Sequence, residues 1–95
     1  MIGMKIYFVY LITNKPGGVI YVGMTNDLRK RLDEHRSGLG SKFTSKYKLY
    51  RLVYFEEFRD VNDAIRREKQ IKSGSRTKKI ELIEMENPEW RDLMD

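Results

Sequence analysis

IYFVYLITNKPGGVIYVGMT, residues 6–25, sets two β-branched and aromatic runs, Ile6–Ile12 and Val19–Thr25, on either side of Asn14-Lys15-Pro16-Gly17-Gly18. Runs rich in Val, Ile and Tyr that flank a Pro/Gly cluster read as a β-hairpin. Apolar runs this short also suit a helix, but the proline and two glycines between them argue against one. Alternation along the first strand puts Tyr10 on one face with Phe8 and Ile12, and Val9 and Leu11 on the other. Neither strand alternates cleanly between apolar and polar, so both faces of the hairpin need cover. The apolar N-terminal run is also far short of the ~20 residues of a bilayer span. It reads as a strand, not as a signal segment.

Outward from the hairpin, Asn26 or Asp27 can cap a helix that begins near Leu28 and runs through LRKRLDEHRSG to a terminal Gly38. Leu28 and Leu32, four residues apart, form its core stripe, and Arg31 and His35 share an edge about 60° round the helix. Leu39–Lys48, LGSKFTSKYK, reads as an exposed basic loop anchored by Phe43 and Tyr47, and Leu49–Phe58 as a third strand. Asp60 caps a second helix over Val61–Ser73, stopped by Gly74. Ser75 or Thr77 starts a third through KKIELIEME that ends at Pro88, with Trp90 and Leu93 returning to the core. The expected fold class is therefore α+β, a small three-stranded antiparallel sheet with three flanking helices in the order β-β-α-β-α-α.

Ninety-five residues and 11.4 kDa suit one domain, taken as 1–95, with a compact core. Without cysteine there is no disulfide framework, no thiolate metal site and no thiol nucleophile, and the cytoplasm is the expected compartment. Nineteen Lys and Arg against fourteen Asp and Glu give a net charge of +5, which favours an anionic partner such as nucleic acid. The charge is segregated. Lys42–Arg51 holds four basic residues and no acid, Arg66–Lys79 holds seven against Glu68, and Glu81–Asp95 holds six acids against Arg91.

Glu68 is the anomaly of the second helix. At 100° per residue, Val61, Ala64, Ile65, Ile71 and Lys72 share one arc, and Glu68 lies near its centre. A carboxylate buried there without a partner costs several kcal/mol, so Glu68 needs a cation, a proton, a metal or a route to water. His35 alone reads as a hydrogen-bonded or helix-end histidine, and Arg31 as solvated charge. Their shared edge gives them a second reading, because phosphodiester chemistry requires a guanidinium against developing negative charge. Tyr7, Tyr10 and Tyr21 all lie on the hairpin, where tyrosine is common for packing alone.

Taken together, a tyrosine-bearing strand, a second strand with Tyr21-Val22-Gly23, a helix with Arg31 and His35 and a later helix with Glu68 resemble the GIY-YIG nuclease superfamily. SKFTSKYK, LVYFE, AIRREKQIK and NPEWRDL make the chain most similar to its short stand-alone subfamily, related to the catalytic domain of the UvrC nucleotide-excision subunit. The first motif departs from the pattern, reading Phe8-Val9-Tyr10 without its glycine, and the second has Val22 in place of Ile.

The resemblance implies an endonuclease that hydrolyses phosphodiesters in nucleic acid, DNA more than RNA, in repair or recombination-type processing, with Mg²⁺ or Mn²⁺ as cofactor. It assigns Tyr10, Tyr21, Arg31, His35 and Glu68 to catalysis and Glu68 also to the metal, with Gly23 in support. Tyr10 or His35 is the proton acceptor. Some relatives place an asparagine near the metal; Asn87, before Pro88, is explained equally well by capping or turn formation. Substrate contact is expected from Lys42, Lys46, Lys48 and Arg51, and from Arg66, Arg67, Lys69, Lys72, Arg76, Lys78 and Lys79. The competing readings are a nucleic-acid-binding module, or a subunit that needs a protein partner for activity or specificity, and a purely structural role in which Glu68 and Arg31 pair with each other.

Overall fold

The computed structural model describes residues 5–94, so residues 1–4 and 95 of the expected 1–95 domain lie outside the described residues. Strands β1 (Tyr7–Thr13) and β2 (Ile20–Thr25) form the hairpin, followed by helix α1 (Leu28–Arg36) and a short helix α2 (Lys42–Tyr47). Strand β3 (Arg51–Phe58) and helices α3 (Val61–Ser73) and α4 (Arg76–Glu86) complete the order. The sheet is antiparallel with strand order β2-β1-β3. β1 is thus the central strand, and a register irregularity at Leu11/Ile12 interrupts its pairing with β3.

Both faces of β1 are covered, as its unbroken apolar run requires. Val9 and Leu11 pack with Val22, Val53, Ala64, Ile71, Ile83 and Trp90, beneath α3 and α4. Tyr10 and Ile12 point the other way and pack with Leu28 and Leu32 of α1 and with Leu49 and Leu52. The helices begin where the short polar residues allow. Asp27 accepts from Lys30 N at 3.1 Å, and Asp60 from Asn62 N at 2.7 Å. Ser75 accepts from Lys78 N at 3.1 Å. Arg76 donates through Nη2 to the carbonyls of Gly17 and Gly18, tying the start of α4 to the hairpin turn.

Among the described residues four helices flank the sheet rather than three. The segment read as a loop closes into α2, because Ser41 Oγ accepts from Thr44 N at 3.1 Å and Lys48 ends the helix in the left-handed conformation. At the C-terminal end Trp90 returns to the core as expected, but Leu93 stays exposed and Met94 packs beside the Tyr10 cluster instead. Leu93 N donates to the Leu52 carbonyl, and Leu52 N donates to Asp92, so backbone bonds rather than the leucine side chain pin this segment to β3. Among the described residues no helix is long and apolar enough to cross a membrane.

Candidate active site

The hairpin register places Tyr10 opposite Gly23 and Tyr21 opposite Ile12, so both tyrosines lie on the face that α1 covers. From α1 comes His35, only 2% exposed, on a buried stripe with Leu28 and Leu32. The three rings form one cluster, with centroids 6.4 Å apart for Tyr10–Tyr21, 6.0 Å for Tyr10–His35 and 5.9 Å for Tyr21–His35.

A directed hydrogen-bond chain runs through it. Tyr10 Oη and His35 Nε2 are 3.1 Å apart, and His35 Nδ1 is 3.0 Å from Thr44 Oγ1 on α2. Thr44 gives its hydroxyl proton to the Ser41 carbonyl at 3.0 Å, which leaves its oxygen free to accept. With the Thr44 proton on the Ser41 carbonyl, the tautomer that carries its proton on Nδ1 donates to Thr44 and leaves Nε2 to accept from the Tyr10 phenol. Burial, reinforced by Tyr21, holds the Tyr10 hydroxyl well above its usual pKa, against the opposing pull of Arg31. Burial first, and Arg31 second, lowers His35 from its usual value of 6.5. Phenol and imidazole are both neutral near pH 7.

Two glycines make room for this chain. A Cβ on Gly23 would collide with Cζ and Oη of Tyr10. One on Gly40 would collide with Nδ1 of His35 and crowd Thr44 Oγ1. Gly40, Ser41 and Thr44 are parts of the site that sequence reasoning missed. The available signal was the spacing of Leu28, Leu32 and His35, which marks His35 as buried and so in need of a partner on each ring nitrogen.

Arg31 and Glu68 lie near enough to the cluster to be felt there as charge. Their charges, with that of Glu34, act on the Tyr10 hydroxyl. Arg31 is exposed and meets Glu34 at 3.5 Å, a loose surface contact. Glu68 is not buried mid-stripe as its arc suggested. Its side chain is 21% exposed and pairs with Lys72 at 3.3 Å, not with Arg31. Ala64 and Ile71, the buried residues of α3, lie within about 20° of each other round the helix, and Glu68 falls about 50° to one side. The true buried arc is narrower than the apolar one, and Val61 at its margin is exposed.

Among the described residues no three acidic, His or Cys side chains gather into a cage for a metal ion. One accessible carboxylate oxygen donor, Glu68, still suits Mg²⁺, which keeps most of its waters and takes its remaining ligands from substrate phosphate. Asn87 is engaged elsewhere. Its Nδ2 donates to the carbonyls of Val53 and Arg91 and its Oδ1 accepts from Arg91 N, which makes it the buried organiser of the turn after α4.

The basic residues divide. Arg67 is held by Glu56, with bonds at 2.8, 2.9 and 3.2 Å, and Tyr54 donates to the same carboxylate. Those bonds to Arg67 and Tyr54 keep the Glu56 carboxyl below its usual range although burial opposes them. Arg51 donates to the Trp90 carbonyl, Lys79 to the carbonyls of Lys72 and Gly74, and Arg66 pairs with Asp63. Lys42, Lys46, Lys48, Lys69 and Lys78 are exposed and form no ion pair among the described residues.

Comparison with known proteins places the chain in a family. A family model described as the GIY-YIG catalytic domain matches residues 6–81. A UPF0213 protein of Staphylococcus saprophyticus is 38% identical over 80 residues, covering 84% of this chain and 96% of that protein. A UPF0213 protein of Staphylococcus aureus is 35% identical over the same shares of each chain. The solution NMR structure of the UPF0213 protein BH0048 from Bacillus halodurans superposes with a TM-score of 0.58 and 31% identity, covering 92% of each chain.

Proposed function

Because this chain belongs to the GIY-YIG family of nuclease catalytic domains, we propose that it is a divalent-metal-dependent endonuclease that hydrolyses phosphodiester bonds, acting as one domain on DNA in repair or recombination-type processing. The observation that carries the reading is the Tyr10–His35–Thr44 hydrogen-bond chain. It supports His35 as the final proton acceptor and Tyr10 as the relay. As water attacks phosphorus, its proton passes to Tyr10 Oη while the phenol's own proton moves to His35 Nε2. Thr44 keeps Nδ1–H oriented throughout, so the imidazolium forms without a change of tautomer.

Arg31 lies exposed beside the cluster and meets the growing charge on the phosphate. Tyr21 has no hydrogen bond to protein among the described residues, so its hydroxyl is available to position water or phosphate. Glu68 would hold Mg²⁺ or Mn²⁺, which when bound supplies Lewis-acid stabilisation of the phosphate and the leaving 3′ oxygen. The absence of cysteine suits a reducing compartment such as the cytoplasm.

Cleavage of labelled single-stranded, duplex, nicked and branched DNA and RNA with Mg²⁺ or Mn²⁺ tests the proposal, comparing wild type with Glu68→Ala. Wild type cleaves and Glu68→Ala does not, although its unfolding free energy in urea changes by no more than about 0.5 kcal/mol, since Glu68 is an edge residue in a surface pair. Salt-sensitive binding without cleavage on any substrate would instead make the chain a binding module or a subunit that depends on a protein partner.

A further inference from the structure

Helix α2 carries two aromatic side chains that the fold leaves in solvent. Phe43 is 45% and Tyr47 39% exposed, one turn apart on the same side of the helix. Their ring centroids are 4.9 Å apart, and Phe43 reaches Tyr21 at 6.3 Å. An aromatic ladder, Tyr47–Phe43–Tyr21, therefore leads from open surface to the ring cluster around His35. It is edged with positive charge. Lys46 Nζ lies 5.4 Å from the centre of the Tyr47 ring, and Lys42 and Lys48 stand at the two ends of the helix in a stretch, Lys42 to Arg51, that has no acid.

Core packing does not account for this arrangement, because the only buried residue of α2 is Thr44. Aromatic faces interleaved with lysines match one chemistry, the unpaired nucleobase on its phosphate backbone. Bases stack on the rings and phosphates meet the lysines. In a duplex the base faces are already stacked on one another and cannot use such a surface.

We propose that Phe43 and Tyr47 form a stacking subsite for unpaired bases of a single-stranded segment, placed so that the adjoining phosphodiester reaches Tyr21 and the Tyr10–His35 relay. The placement at a cleavage centre rests on the nuclease reading, whereas stacking itself does not. Because Thr44 on the same helix holds His35 Nδ1, a strand that docks on α2 also braces the proton acceptor.

The experiment is fluorescence anisotropy with full-chain protein in EDTA, so that no cleavage intervenes. The probes are a labelled oligothymidylate, an abasic strand of equal phosphate count, and a duplex of equal length. Wild type binds the oligothymidylate at least about fivefold more tightly than the abasic strand, and stacking of one base on one ring is expected to contribute about fivefold to a hundredfold. Phe43→Ala and Tyr47→Ala each lose a factor in that range on the oligothymidylate and change duplex binding less than twofold. Phe43→Trp retains the affinity. Equal binding of thymidylate and abasic strands by wild type overturns the proposal without recourse to any variant, as do equal losses on single strand and duplex in a folded Phe43→Ala. The same probes with Mg²⁺ separate the two readings: stacking without cleavage defeats the nuclease, and cleavage with no response to Phe43→Ala defeats the subsite.

Discussion

Tyr10 has a raised hydroxyl pKa, and a lone tyrosine of that kind is a poor base; its hydrogen bond to His35 gives it a different task. The sign of the His35 shift makes this testable. A histidine whose pKa is lowered by folding contributes stability that is complete above the unfolded value of 6.5 and is lost as pH falls toward the folded value. Catalysis follows the same proton, so kcat/KM falls on the acid side with a single apparent pKa below 6.5. His35→Gln loses about a hundredfold or more in rate and abolishes that limb. An acid limb above the ordinary histidine value, or one that survives in His35→Gln, removes His35 from the proton path. Gly23 bears on the same pair from the opposite strand. Gly23→Ala forces the Tyr10 ring out of line, costing roughly 1–3 kcal/mol in overpacking. It also slows cleavage much more than a remote substitution of equal stability cost; equal slowing in the two would make Gly23 a packing residue alone.

Among the elements, α3 matters most because it carries Glu68, the proposed metal ligand, and it buries little to hold itself in place, Ala64 and Ile71. Its start depends on Asp60, whose carboxylate accepts from Asn62 N and Asp63 N. Asp60→Ala therefore costs about 1 kcal/mol in urea unfolding, and Asp60→Asn or Asp60→Ser recovers most of it. No loss in Asp60→Ala would mean that packing, not capping, sets this helix. α3 was legible from Val61 to Ser73 because a strong cap, a glycine stop and an apolar period coincide there. The hairpin was legible for a similar reason, since Pro16, Gly17 and Gly18 leave its two runs only one way to pair. α2 was not legible. Its only buried side chain is a threonine, so it shows no apolar stripe, and its closure depends on Ser41, Thr44 and a left-handed Lys48. Its aromatics looked like anchors because anchors and exposed platforms share a composition; only exposure distinguishes them. Tyr10, Tyr21, Arg31 and His35 stood out as candidates through the family resemblance. The Tyr10–His35–Thr44 chain was not legible, because it joins residues 25 and 9 apart through three elements.

At the scale of the whole molecule, the net charge of +5 overstates how much of the basic surface is free for a polyanion. Arg67 is already neutralised by Glu56 at the packed edge of β3, with side chains 30% and 21% exposed. Lys42 and Lys48 stand at the two ends of α2 and Lys46 lies over the Tyr47 ring, and none of the three has an ion-pair partner among the described residues. Counterion release counts only cations that meet phosphates, at about 0.7 log units per contact per decade of salt for a single strand. Replacing Lys42, Lys46 and Lys48 with glutamine therefore lowers the slope of log Kd against log salt by about 2, with little change in stability, since exposed lysines contribute little to the fold. Arg67→Gln does the reverse. It leaves the slope as it was and costs roughly 1–3 kcal/mol, because Glu56 loses its charge-assisted bonds. A salt titration of the wild type and both variants on one oligonucleotide separates these effects. A slope that falls as much per residue for Arg67→Gln as for the lysines would mean that the polyanion follows overall charge, and that α2 has no privileged place in binding.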